Sequence, residues 1–216
     1  MEDGVALFRY LRYVSMSTMR ARRTNEEWSR HTRQTLLDRA RQQFARHGYA
    51  ATTTAALVRT TGATKGALYF HFADKQALFD AVTVDVAATV QAAVEAAAGR
   101  VGDPVEGLIE GCRAWLASAS SDEARQILLI DAPSVLGWRR WREIDAAHSM
   151  GSLRAGIDAC LSARPVRHVS PAALTHLVSG ALNEAVLAIG EGAVPLDDVV
   201  QTTTALLRAL LAPSRT

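Results

Sequence analysis

Thr53, Thr64 and Asp74 are three good helix N-caps in quick succession, and they leave room for only short helices between them. Helices of about two turns are not stable alone in water. They must pack on longer neighbours, so this stretch folds as a helical cluster or not at all. The neighbours are present. Before the caps, Leu36, Leu37, Ala40 and Phe44 fall on one helical face, and His47-Gly48 ends that helix with Gly48 as a left-handed terminator. After them, a long helix runs from Lys75 through Leu78, Phe79, Val82, Val86 and Val90 to about Ala98, where Gly99 breaks it. Gly62 makes a tight turn between the second and third helices, whose core residues are Leu57 on one and Leu68 and Phe72 on the other. A short helix, a tight turn and a second short helix form a helix-turn-helix, with the third helix in the recognition position.

The rest of the chain is read the same way. Alanine, the best helix former, supplies 39 of 216 residues, and no stretch alternates apolar and polar with β-branched enrichment. Further helices are expected from Pro104 to about Ser118 and from Glu123 to Asp131, the latter closed by Ala132-Pro133. Others run from Trp138 to about Ala163, from Ser170-Pro171 to about Ile189, and from Pro195 to about Leu211. The fold class is all-α, about nine helices, with a three-helix head and a larger C-terminal bundle.

The formal net charge of +2 hides an asymmetry. Residues 20–75 carry 11 Lys/Arg against 4 Asp/Glu, and residues 76–216 carry 11 against 16. A basic head on an acidic body is the footprint of a nucleic-acid-binding module joined to something else. Cys112 and Cys160 are too few for a disulfide framework, and they read as small buried hydrophobes. No catalytic or phosphate-loop motif stands out, and no cofactor or metal site is expected; His148 and His176 lack a paired carboxylate at helical spacing. No membrane span and no secretory signal are read from the sequence, which makes the cytoplasm the expected location. Met16 and Met19 are alternative starts to Met1.

Gly48-Tyr49, Thr52-Thr53-Thr54, then Thr61-Gly62-Ala63-Thr64-Lys65-Gly66-Ala67-Leu68-Tyr69-Phe70-His71-Phe72 and Asp74-Lys75 closely resemble the DNA-binding domain of the tetracycline-repressor (TetR) family. The resemblance covers about residues 30–80. Thr61 stands where the family usually has alanine and Ala63 where it has valine, and neither change removes a contact group. The resemblance implies an arm over residues 1–29, a DNA-binding domain over 30–76, and an effector-binding and dimerisation domain over 77–216. It implies double-stranded operator DNA as partner, with Tyr69 reaching the DNA backbone. The residues suit that task. Gly66 and Ala67 let the helix approach a groove about 12 Å wide. Thr53, Thr54 and Thr64 offer hydroxyls beside helix N-termini, and Lys65, His71 and Lys75 offer polar or cationic groups to phosphate. Arg22 and Arg23, on the basic arm, can follow phosphates or enter a minor groove.

Past the head, large or polar residues interrupt apolar helices: Cys112, Trp115, Asp131, Trp138, Trp141, His148, His176 and Asn183. Together they are candidates to line a small-molecule pocket. The Trp138–Arg142 run reads as surface, with its tryptophans turned inward. Helices at about 171–190 and 195–211 carry excess apolar surface, and two half-sites on an operator favour a homodimer built there. Two readings compete: a repressor released by an unknown small-molecule effector, and a DNA-binding protein whose C-terminal half only dimerises. A polar-lined cavity distinguishes them.

Overall fold

The computed structural model describes residues 28–211, and among them there is helix and no strand. Helix α1 spans 28–51 and turns sharply at Gly48, where φ is +71°. Then come α2 (Thr54–Thr61) and α3 (Lys65–His71), separated by Gly62 with φ +67°. The three caps read from the sequence are in place. Thr53 accepts from the Ala56 N–H at 3.1 Å, Thr64 from Ala67 at 3.1 Å, and Asp74 from Ala77 at 2.7 Å. Leu36, Phe44, Leu57 and Leu68 close the head's core beneath Leu78 and Phe79 of α4 (Lys75–Ala98). The Phe44 and Phe79 rings meet edge-on at 5.0 Å between centroids.

The body is built on α4. Helix α5 (Pro104–Ala119) packs along it, and α8 (Ser149–Ala163) and α10 (Leu196–Leu211) pack on α5. Helix α9 (Pro171–Gly190) lies on α8. Apolar contacts run unbroken from Leu36 in α1 to Leu211 in α10, so head and body share one core through α4.

Three helix boundaries differ from the sequence expectation. The stretch after α5 begins as a single turn, α6 (Asp122–Ala124), and becomes a π-helical segment, Arg125–Asp131. Pro133 does not stop it. A proline in a helix's first turn lacks only an N–H that would be unpaired anyway, and here it opens α7 (Ala132–Ala147). The helix expected over 138–163 is in fact two. Gly137, at φ +78°, kinks α7 near its start, and His148, at φ −119° and ψ −94°, separates α7 from α8.

No uninterrupted apolar run of about 18 residues occurs, yet two helices are long and apolar enough on average to cross a membrane. By length and hydropathy alone, α4 and α9 qualify. In this fold α4 buries Leu78, Phe79, Val82, Val86 and Val90 as a core helix. Helix α9 buries Leu174, Leu182 and Val186 but leaves Leu177 71% exposed.

Candidate nucleic-acid interface and ligand cavity

Helix α3 turns Leu68 into the core and its other face outward. Thr64, Lys65, Gly66 and Tyr69 are exposed, and Ala67 and His71 are half-buried. The Lys65 ammonium lies 5.9 Å from the Tyr69 ring centre. Thr53 is exposed at the start of α2, beside a half-buried Thr54. Gly66 has ordinary helical backbone, and a Cβ built on it meets nothing nearer than Thr64 Oγ1 at 3.8 Å. Glycine inside a helix costs about 1 kcal/mol relative to alanine. Nothing within the fold requires it here.

Two features depart from the sequence reading. Phe70, which it passed over, is 79% exposed on the same helix, with its ring edge-on to His71 at 5.0 Å. Helical geometry held the signal: a residue two places beyond a core leucine points away from the core. Lys75, expected to face phosphate, is engaged inside the protein. Its ammonium donates to the carbonyls of Tyr49 and Thr52, both at 2.9 Å, and lies 3.9 Å from the Tyr49 ring centre. Arg22 and Arg23 lie outside the described residues.

Behind the head, α1 is tied to the body by polar contacts. Arg41 donates to Glu123 at 2.8 Å and to Asp85 at 3.1 Å. The Asp131 carboxylate accepts the Tyr49 N–H at 2.8 Å. Asp131 was expected in the pocket, but it is held at this junction because the Gly48 turn brings the Tyr49 N–H to the end of the π-helical segment. Arg140 of α7 pairs in two-pronged fashion with Asp80 of α4, at 2.7 and 3.0 Å.

A cavity of about 370 Å³ opens among α4, α5, α7, α8 and α9. Val94, Leu108, Trp115, Leu153 and Leu182 form apolar walls. Of the expected lining residues, Cys112, Trp115 and Asn183 are there. Trp141 lines a smaller space of about 30 Å³ that shares Trp115, Asp145 and Asn183 with the cavity, and its indole donates to the Leu128 carbonyl at 2.8 Å. The other four, Asp131, Trp138, His148 and His176, line neither space. Trp138 points outward, 66% exposed, which corrects the expectation that both tryptophans of its run turn in. His148 is hydrogen-bonded through Nδ1 to Gln91 at 2.6 Å, and His176 lies 3.3 Å from the Arg142 guanidinium. Glu95, Asp103, Asp145 and Ser179 line the cavity without having been singled out. Burial pushes the Asp145 carboxyl above its ordinary range, while Arg142 and then His176 pull it back.

Burial pushes the Cys112 thiol up to about 12, and Cys160 is raised for the same leading reason. Little of the Cys112 thiol is thiolate at pH 8. Alkylation of both cysteines at pH 8 is therefore expected to be at least about a hundredfold slower in the native protein than in urea. Mass spectrometry of timed reactions measures this, and comparable rates would contradict the buried placement.

The geometry defines a helix-turn-helix head on an all-helical body with an internal cavity. Residues 36–82 match the family described as bacterial regulatory proteins, tetR family, and residues 105–212 match the tetracyclin repressor-like C-terminal domain. The chain belongs to the tetracycline-repressor family, which consists of transcriptional regulators, not enzymes. A TetR-family transcriptional regulator from Pectobacterium atrosepticum is 34% identical with a TM-score of 0.71, over 88% of this chain and 98% of that one. The HTH-type transcriptional regulator AcrR of Shigella flexneri is 33% identical over 110 residues, 50% of this chain and 51% of AcrR. The HTH-type transcriptional repressor AcnR of Corynebacterium efficiens is 43% identical over 58 residues, 27% of this chain and 31% of AcnR. The matched stretch thus spans about half of AcrR and less of AcnR.

Proposed function

We propose that the protein is a cytoplasmic transcriptional repressor that binds a palindromic operator as a homodimer and is released by a small molecule. Gly66 carries the DNA reading. It is an exposed helical glycine with no internal reason to be one, and close approach of another molecule's surface supplies the reason. Around it, Thr53, Thr54, Thr64, Lys65, Ala67, Tyr69 and His71 contact the operator, joined by Arg22 and Arg23 of the arm. Phe70 adds an apolar surface for contact with a thymine methyl or sugar. Lys75 supports that surface from behind. The division into arm, head and body at 29/30 and 76/77 follows the same reading.

The cavity favours the effector reading over a body that only dimerises. Helix α4 has 24 residues and spans about 36 Å. It starts in the head, and its far end supplies Val94, Glu95 and Ala98 to the cavity wall. A ligand that prefers one tilt of α4 changes the distance between two heads in a dimer. It weakens DNA binding by its difference in affinity for the two states.

Selection of bound duplexes from random DNA tests the proposal. A two-fold symmetric site is expected, with half-site centres one helical turn apart or a multiple of it. Affinity is expected to fall steeply with salt. Recovery of no consensus would overturn the reading.

The exposed Leu177 of α9 and Leu206 of α10, at 71% and 66%, support the dimer face. Leu177→Glu with Leu206→Glu is expected to give a folded monomer at micromolar concentration, seen by sedimentation, with specific operator affinity largely lost. A variant that stays dimeric would move the interface elsewhere.

A further inference from the structure

The lining of the cavity says what kind of ligand fits it. Among the described residues, its charged members are Glu95, Asp103 and Asp145, and no lysine, arginine or histidine lines it. Asp103 is tied down as the α5 cap, accepting from Val105 and Glu106, and is paired to Arg164 at 3.1 Å. Asp145 is only 13% exposed and has Arg142 at 3.0 Å on one oxygen, Oδ2. Glu95 accepts from Gln91 at 2.7 Å and from Ser152 at 3.4 Å, both neutral donors. Arg164 and Arg142 thus offset Asp103 and Asp145, and Glu95 is the lining carboxylate whose hydrogen-bond partners carry no positive charge. Carboxylates beside apolar walls attract a positive group and repel a negative one, and low local polarity strengthens both effects.

A second observation is independent of charge. Ser179 and Asn183 stand one turn apart on α9 and both line the cavity. Ser179 is 8% exposed. Among the described residues, neither side chain has a hydrogen-bond partner, whereas Thr175, one turn earlier, bonds back to the Pro171 carbonyl at 2.8 Å. A hydroxyl that lines a cavity on a residue this buried, with no partner among the described residues, is a group open to a ligand's hydrogen bond. Trp115 adds an aromatic wall that favours a cation.

We infer that the cavity binds an amphipathic organic cation, a protonated amine on an apolar body. The ammonium lies towards Glu95 and Asp145, the apolar body lies against Trp115, Leu108 and Leu182, and Ser179 and Asn183 bond a further polar group. The inference deepens the effector reading and rests on it for its biological meaning, but not for the binding itself. It ranks fatty acids and other carboxylates below amines, because the charged lining residues among those described are all carboxylates.

The test is calorimetric titration of the full, DNA-free chain with decylamine, decanol and decanoate, which share one apolar body. Decylamine is expected to bind about tenfold tighter than decanol, and decanoate weakest. Glu95→Gln is expected to close most of the gap between amine and alcohol, and Ser179→Ala to weaken decanol. Asp145→Asn strands the Arg142 guanidinium and can unfold the body, so the exposed Glu95 position carries the mutational arm. Equal affinities, a preference for decanoate, a gap that survives Glu95→Gln, or no binding by decylamine at millimolar concentration would each overturn the inference. Operator binding is measured separately. Loss of amine preference with operator binding intact counts against this inference alone. An amine that binds without releasing the operator supports the cation site and counts against the effector reading.

Discussion

Replacing Gly66 with glutamate is expected to give a well-folded protein that no longer distinguishes an operator from random DNA. The position sits on the exposed face of α3, and a Cβ there meets only Thr64 Oγ1, at an ordinary contact distance of 3.8 Å. Within the fold, then, almost any side chain is tolerated. Gly66→Ala should even stabilise the protein by about 0.5–1 kcal/mol through helix propensity, which for a chain of this size is a rise of about 1–4 °C in Tm. A recognition helix in a major groove has no such freedom, because its backbone must come close enough for neighbouring side chains to reach base edges. A glutamate at that point adds bulk and a negative charge facing phosphates. Specific affinity is expected to fall by on the order of 10³, to the level of nonspecific binding. Tm and operator affinity, measured on the same two variants, should move in opposite directions for alanine. If Gly66→Glu binds the operator normally, α3 is not in the groove, whatever the family.

How much could be read in advance follows from the range over which each feature is determined. The head was legible because its signals are local. A cap such as Thr53 or Thr64 acts within three residues of itself, and Gly48 and Gly62 set their own turns. The body was legible as helices but not at its breaks. Gly137 and His148 interrupt a run whose periodicity continues across both, so the pattern alone reads as one helix. The π-helical segment left no composition signal. The cavity was the least legible part, since its walls come from five helices and a residue's neighbours there are far away in sequence. Asp131, His148 and His176 were sound candidates as polar residues on apolar helices. Each found a partner inside the protein instead: the Tyr49 N–H, Gln91 and Arg142. Asp145 escaped notice because it follows the charged run Trp138–Glu143, where one more charge reads as surface. Burial on α7 is what distinguishes it, and burial is a tertiary property.

Lys75 is where sequence and structure predict opposite experiments. As a phosphate contact, its loss would weaken binding to all DNA and reduce the salt dependence by about one counterion. As the structure places it, the ammonium closes the head from within. It donates to two backbone carbonyls at 2.9 Å, those of Tyr49 and Thr52, and covers the Tyr49 ring. It thereby fastens the first turn of α4 to the end of α1 and to Thr52 in the loop that follows, from which the Thr53 cap and the start of α2 are presented. Hydrogen bonds to a charged group contribute about 1.5–3 kcal/mol each, and a cation over an aromatic face about 0.5–1 more. The contributions overlap, and the site is only half-buried, so a loss of about 3 kcal/mol is expected for Lys75→Ala. That corresponds to a fall of about 6–12 °C in Tm. Well below its Tm, the variant's operator affinity should show the same slope against salt as the parent. Lys65→Ala is the matching control. Lys65 is exposed on α3, its ammonium 5.9 Å from the Tyr69 ring centre. Its loss should leave Tm within about 1 °C and lower the slope by about one. Scanning calorimetry and a salt titration of operator binding on the two variants separate the cases. If Lys75→Ala keeps its Tm and loses a unit of slope, the ammonium reaches out to phosphate in solution and the internal fastening is wrong.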